Sequence, residues 1–181
     1  MFGRAWKRII AVGIASCVAL LSTTALAAPS TPAGGTVAVA SLESGVLADI
    51  NSLRRSHGLA QLRLSPALGA AARQHSESMA AKGYFAHESA DGSSFDKRVG
   101  RFYPSARRAY WSVGENLVWR SPSLSAAGAL SLWIASPPHL ANLLSTQWRQ
   151  VGVSAVSVAN GPGVYGGRNA IIITTDFGVR R

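Results

Sequence analysis

Three ionisable side chains stand in apolar settings that the rest of the chain does not repeat: His87 after Tyr84-Phe85-Ala86, Glu115 inside Val113-Gly114-Glu115-Asn116-Leu117, and His139 after Ser136-Pro137-Pro138. Such settings are where proteins shift proton affinities and build sites. Glu115 is the least comfortable, because a carboxylate buried between Val113, Leu117 and Trp119 has to find a cation or hydrogen-bond donors. Two imidazoles can supply them. Two histidines and a carboxylate can also coordinate a divalent transition metal and leave a position open for water. A buried, hydrogen-bonded polar cluster is the alternative. No local spacing decides, since His87-Glu88 lacks the second histidine of a His-Glu-x-x-His helix and the chain has no Cys/His cluster.

Nucleophilic chemistry has fewer parts to work with. Ser136 and His139 are close enough in sequence to pair, with Glu115 as the group that would orient the base, but an activated serine also needs an oxyanion pocket. There is no Gly-x-Ser-x-Gly elbow, and the glycines from Gly161 to Gly167 precede a strand pattern where a phosphate cradle would precede a helix.

The elements that must position these groups are legible from periodicity. Leu42, Val46, Leu47, Ile50 and Leu53 mark a helix that ends at Arg54-Arg55 and Gly58, where His57 reads as a helix-end cation. Ser65-Pro66 opens a second helix and Gly83 closes it; its inward stripe is Leu68, Ala72, His75 and Met79, which makes His75 a core histidine. Ser93 to Arg101 forms a short helix, and Trp111 to Trp119 has strand composition around a polar centre. Leu124 to Ser136 reads as a helix with Leu124, Gly128, Leu132 and Trp133 inward; it breaks at the Pro pair and a short turn restarts at Leu140. Gln150 to Val158 and Ala170 to Phe177 are strands joined by a long-tipped hairpin loop from Asn160 to Asn169. Helices first and paired strands last argue for one α+β domain with an antiparallel sheet.

Residues 1–28 carry Arg4, Lys7 and Arg8, an apolar run from Ile9 to Leu21, and Ala25-Leu26-Ala27, the pattern of a cleaved signal peptide. Secretion is therefore expected, with no integral membrane segment after cleavage. Cys17, the one cysteine, lies in Ile14-Ala15-Ser16-Cys17, which offers a lipoprotein as the minority alternative; ordinary cleavage leaves a cysteine-free domain that relies on its core. Residues 29–40, rich in Pro, Ser, Thr, Gly and Ala, read as a flexible linker ahead of a domain at 41–181. Without the leader the net charge is about +7, an excess that suits an anionic wall, membrane or polymer, with a solvated basic surface as the plainer reading. The basic residues are scattered, with no run that reads as a nucleic-acid arm, and a monomer is expected.

Taken in order, Ala71-x-x-x-His75-Ser76-x-x-Met79-Ala80, Tyr84-Phe85-Ala86-His87, Gly114-Glu115-Asn116-Leu117, Trp133-x-x-Ser136-Pro137-Pro138-His139-Leu140-Ala141-Asn142-Leu143-Leu144 and Val151-Gly152-Val153 resemble the CAP superfamily (cysteine-rich secretory proteins, antigen 5, pathogenesis-related class 1 proteins) in its compact bacterial, SCP-like form. The resemblance runs from about Leu47 to Phe177. It implies a three-layer α/β/α sandwich around a small antiparallel sheet, and a central cleft where two histidines and two acids meet and some members bind zinc or another divalent cation. His87, Glu115 and His139 fall on three of those positions. The fourth acid falls on Ser136, a departure for which Glu88 is the nearest substitute. The resemblance also implies an extracellular binding module, with lipid or cell-wall components among its ligands and no organic cofactor; a hydrolase using the same cleft is the alternative.

Overall fold

Helix α2 (Pro66–Lys82) is the element against which the rest is laid. Ser65 caps it by accepting from the Leu68 N–H at 3.4 Å, Pro66 occupies the first turn, and Gly83 ends it at φ 68°, a left-handed position that suits glycine. The structure, a computed structural model, describes residues 35–105 and 109–181. The signal-peptide stretch, the Cys17 alternative and residues 29–34 of the expected linker lie outside the described residues.

The sheet has the order β1-β4-β5-β3, built from β1 (Thr36–Ala38), β3 (Trp111–Arg120), β4 (Gln150–Gly161) and β5 (Arg168–Arg180), all antiparallel. The short strand β2 (Arg63–Leu64) pairs with β4 in parallel. Successive side chains of a strand point to opposite faces, so each strand feeds two layers. On one face Leu117, Val156 and Ile172 pack with Met79 and Ala80 of α2, and Ser76 Oγ donates to Thr174 Oγ1 at 2.8 Å. The neighbouring helix α3 (Phe95–Phe102) packs beside α2, where Val99 meets Leu68 and Ala71. On the other face Val118, Val153, Ala155, Ile173 and Phe177 pack with Val46 and Ile50 of α1 (Ala40–Ser56), Trp133 of α4 (Ala126–Ile134) and Leu143 of α5 (Pro137–Leu143). The result is an α/β/α sandwich with helices on both sides of an antiparallel sheet, as the sequence led us to expect.

Three local readings change. Thr36–Ala38, inside the stretch read as a linker, is an edge strand paired with Val156–Val158, and α1 already begins at Ala40. A Thr-Val-Ala run has no periodicity to reveal it; only the exposed edge of β4 gives it a partner. The hairpin strands run on to Gly161 and restart at Arg168, so the tip contracts to a 3-10 turn at Gly163–Tyr165. Pro137 and Pro138 open α5, because proline is tolerated where helical N–H groups have no internal acceptor.

Arg54, in the basic pair that ends α1, is 1% exposed. Its Nε donates to Ala60 O at 2.9 Å, and its Nη1 donates to Leu143 O at 2.7 Å and Ser145 O at 3.0 Å. It thereby gives the carbonyl end of α5 the cation that such an end favours.

Candidate functional site

The three chemical motifs meet along β3, the edge strand of the sheet, and they come from different layers. His87 arrives from the α2–α3 layer and His139 from the α4–α5 layer.

His87 sits four residues beyond Gly83, in chain that would be loose without ties to its neighbours. His75 Nε2 donates to Ala86 O at 2.9 Å, and Arg98 Nη1 donates to His87 O at 2.9 Å. His75 is buried, as its place in the stripe requires, and burial lowers its pKa to about 4. It is therefore neutral and carries one N–H, which the carbonyl acceptor places on Nε2. A core histidine thus acts as a positioning residue for the loop that presents His87.

Glu115 has found the cation that its burial demanded, though only one imidazole supplies a contact. Its Oε1 lies 2.8 Å from His87 Nδ1, and its Oε2 accepts from Arg98 Nη2. Both side chains of the Arg98–Glu115 pair are almost fully buried. Arg98 was missed from sequence. The available signal was a basic residue in a short helix between Phe95, Val99 and Phe102, where a solvated side chain has no place.

His139 lies in the first turn of α5. Its Nδ1 is 2.7 Å from the Oγ of Ser136, the N-cap residue, and its carbonyl accepts from Asn116 Nδ2 at 3.1 Å. Asn142 docks the same helix on β3, donating from Nδ2 to Asn116 Oδ1 at 2.9 Å and to Glu115 O at 3.2 Å. The Ser136–His139 pairing expected of a serine mechanism is therefore present, but its third member is not: Glu115 orients His87 and leaves His139 to the serine. Glu88 is exposed and acts on His87 through charge alone among the described residues.

The two imidazoles are driven apart in proton affinity. The hydrogen bond to Glu115 raises the pKa of His87, while burial and then the charge of His87 lower that of His139. Each keeps Nδ1 on an oxygen and leaves Nε2 without a protein partner among the described residues. Histidines that ligate metals are held in this way, with the second ring nitrogen fixed by a carboxylate or another oxygen. Each imidazole thus keeps one ring nitrogen available to ligate. Both carboxylate oxygens of Glu115 are held, by His87 and by Arg98, and no three His, Cys, Asp or Glu side chains among the described residues are placed to share an ion. Beside His139, Phe85, Leu117, Trp119, Leu132 and Ser136 line a pocket of about 270 Å³. A larger cavity of about 400 Å³ opens between Leu47, Leu64 and Arg73 and touches none of these groups.

A second acid lies behind the site. Asp176 is directly across the strand pair from Glu115, is fully buried, and has no hydrogen-bond partner on either carboxylate oxygen among the described residues. Burial first, and the charge of Glu115 second, push its pKa well above the usual carboxylate value, because Glu115 has taken the guanidinium. A folded state that holds this proton more tightly than the unfolded chain gains stability below the ordinary Asp pKa of about 4 and loses it as pH rises above that value. Asp176→Asn removes the penalty. Its stability relative to wild type, from denaturant unfolding at several pH values, is expected to improve as pH is raised above the ordinary Asp pKa of about 4; a difference that stays flat or shrinks would show that Asp176 is ionised in the fold.

Among the described residues no helix is long and apolar enough to cross a membrane. Comparison with known proteins agrees with the geometry. The model of the cysteine-rich secretory protein family, CAP, matches residues 47–174. An uncharacterised protein of Bacillus subtilis (strain 168), YkwD, is 29% identical over 119 residues, which are 65% of this chain and 44% of that protein. An extracellular protein of Bacillus anthracis str. Ames containing an SCP domain superposes with a TM-score of 0.60 at 25% identity, covering 78% of this chain and 41% of that one. An outer surface protein of Borrelia burgdorferi superposes with a TM-score of 0.66 at 16% identity, covering 82% of this chain and 99% of that one, a likeness of fold. The chain spans less than half the length of the two Bacillus proteins. With the family motifs in order and its model matched over most of the chain, this protein belongs to the cysteine-rich secretory protein (CAP) family.

Proposed function

We propose that the protein is a secreted binding module whose cleft takes a divalent metal such as zinc on Nε2 of His87 and Nε2 of His139. The observation that carries this reading is the pair of Nδ1 contacts, His87 with Glu115 at 2.8 Å and His139 with Ser136 at 2.7 Å. They fix both rings from opposite layers and turn the same nitrogen of each outward. Two imidazoles leave the other coordination positions to water or to a ligand. When bound, the metal would supply an electrophile that anchors an anionic or carbonyl head group. Phe85, Leu117, Trp119 and Leu132 then offer an apolar wall, which suits a lipid-type ligand. The leader pattern at residues 1–28 and relatives described as extracellular or outer-surface proteins support export.

Calorimetric titration of the purified protein with zinc tests the reading. Saturable binding is expected for the native protein and none for the His87→Ala/His139→Ala double variant; equal affinity in both would remove the site. Because only the neutral imidazole ligates, and Glu115 raises the pKa of His87, affinity is expected to fall as pH is lowered through that raised value.

A further inference from the structure

One end of the sheet gathers arginines that nothing in the cleft uses. Arg63 opens β2, Arg149 precedes β4, Arg180 ends β5 and Arg181 follows it; all four are exposed. Main-chain bonds place them side by side. Arg63 N donates to Arg149 O at 3.0 Å, Arg149 N to Gly178 O at 3.2 Å, and Arg181 exchanges two bonds with Tyr110 just ahead of β3. With strands about 4.8 Å apart, the row crosses β2, β4 and β5 over about 10 Å, with Tyr110 ahead of β3 at its edge.

Three of the four guanidiniums are held in place, those of Arg149, Arg180 and Arg181. Arg149 Nη1 donates to Thr146 O at 2.7 Å and Trp148 O at 2.8 Å. The Arg180 guanidinium lies 4.2 Å from the Tyr103 ring centroid and donates to Pro104 O at 3.2 Å; that of Arg181 lies 5.0 Å from the Tyr110 ring. The surrounding loops are tied together, since Tyr103 Oη donates to Gln150 Oε1 at 2.7 Å and Tyr110 Oη to Gln147 Oε1 at 3.1 Å. The ion pairs among the described residues use Arg73 with Glu43, and Arg98 and His87 with Glu115, so none of the four meets a carboxylate.

We infer that this arginine row at the end of the sheet is a docking surface for an anionic lipid bilayer. Charge complementarity names the sign of the occupant, and shape selects the bilayer. Among the described residues, none of the four best-formed cavities includes any of these arginines, so none of those cavities offers a linear polyanion a groove along the row. A broad row of cations with the exposed ring of Tyr110 among them suits a flat, charged interface. Docked this way, the protein would hold the apolar pocket off the surface: β3 runs from Trp111 at this end to Leu117–Arg120 at the pocket, about 20–30 Å at about 3.3 Å per residue.

Co-sedimentation with vesicles of phosphatidylglycerol and phosphatidylcholine tests the inference, using two variants of equal net charge. One is Arg149→Gln/Arg180→Gln/Arg181→Gln; the other is Arg73→Gln/Lys82→Gln/Arg168→Gln, which removes exposed cations elsewhere. Each basic residue near an anionic bilayer is worth about fivefold in partitioning, so the first variant is expected to bind about a hundredfold more weakly than wild type. The second should lose only a few-fold, and melting temperatures should show that both fold. Both carry the same N-terminal segment, whose own contribution cancels. Equal losses in the two variants, or no loss in the first, would overturn the inference. So would binding to soluble polyphosphate that depends on the row while vesicle binding does not.

Discussion

Replacing Arg98 with alanine is expected to cost about 3–5 kcal/mol of stability, the usual penalty when one member of a buried ion pair is removed. The pair is nearly solvent-free, so water cannot take over from the guanidinium. Glu115 would be left as a buried carboxylate facing Asp176, itself without a hydrogen-bond partner among the described residues. The same substitution also releases the carbonyl of His87, which Arg98 Nη1 holds at 2.9 Å. Each kcal/mol shifts the melting temperature of a domain this size by about 2–4 °C, so a fall of about 10 °C is expected by calorimetry. The remaining folded protein should bind zinc more weakly, because His87 loses one of its ties. Destabilisation below about 1 kcal/mol would mean that Glu115 carries no net charge in the fold or finds another cation.

Gly152→Ala is the second large effect, and it acts through backbone contact alone. A Cβ at residue 152 of β4 would lie 2.1 Å from Gly69 N and from Leu68 C, and 2.5 Å from Leu68 O. Overpacking against side chains costs about 1–3 kcal/mol because rotamers can yield. Here both sides are main chain, and α2 would have to lift from the sheet. A loss at or beyond the top of that range is expected, read as a drop in the denaturant midpoint, or as failure to obtain folded protein. Gly69→Ala is the control: its added Cβ has nothing within 4 Å, so it should be neutral or stabilising by up to about 1 kcal/mol, as glycine-to-alanine changes in helices are. Similar behaviour of the two variants would show that α2 does not sit this close to β4. Since α2 carries His75, which holds Ala86 O, a shifted helix also moves His87.

How legible the molecule was depended on the range of the interaction. The stripe of Leu68, Ala72, His75 and Met79 is fully buried, and Ser65, Pro66 and Gly83 bound the helix as their chemistry requires. Capping and periodicity act within a turn or two, so a single sequence carries them. The edge strand Thr36–Ala38 has no such local signature, and its pairing with Val156–Val158 joins residues about 120 positions apart. The same holds for Arg54, whose acceptors at Leu143 and Ser145 lie about 90 positions on.

The residue types alone name the side chains available for chemistry: His87, Glu115 and His139 in apolar settings, Ser136 beside His139, and a carboxylate that must be compensated if buried. How that carboxylate is compensated depends on the fold. It brought Arg98 of α3 onto Glu115, set Asp176 of β5 across from it, and made Glu115 the group that holds the His87 ring. The reason is that desolvation and Coulomb energies depend on the distance and burial of groups far apart in the chain, which no local pattern records. The residue types set the possible chemistry, and the packing of two helical layers around the edge of β3 set which nitrogen of each imidazole was left to perform it.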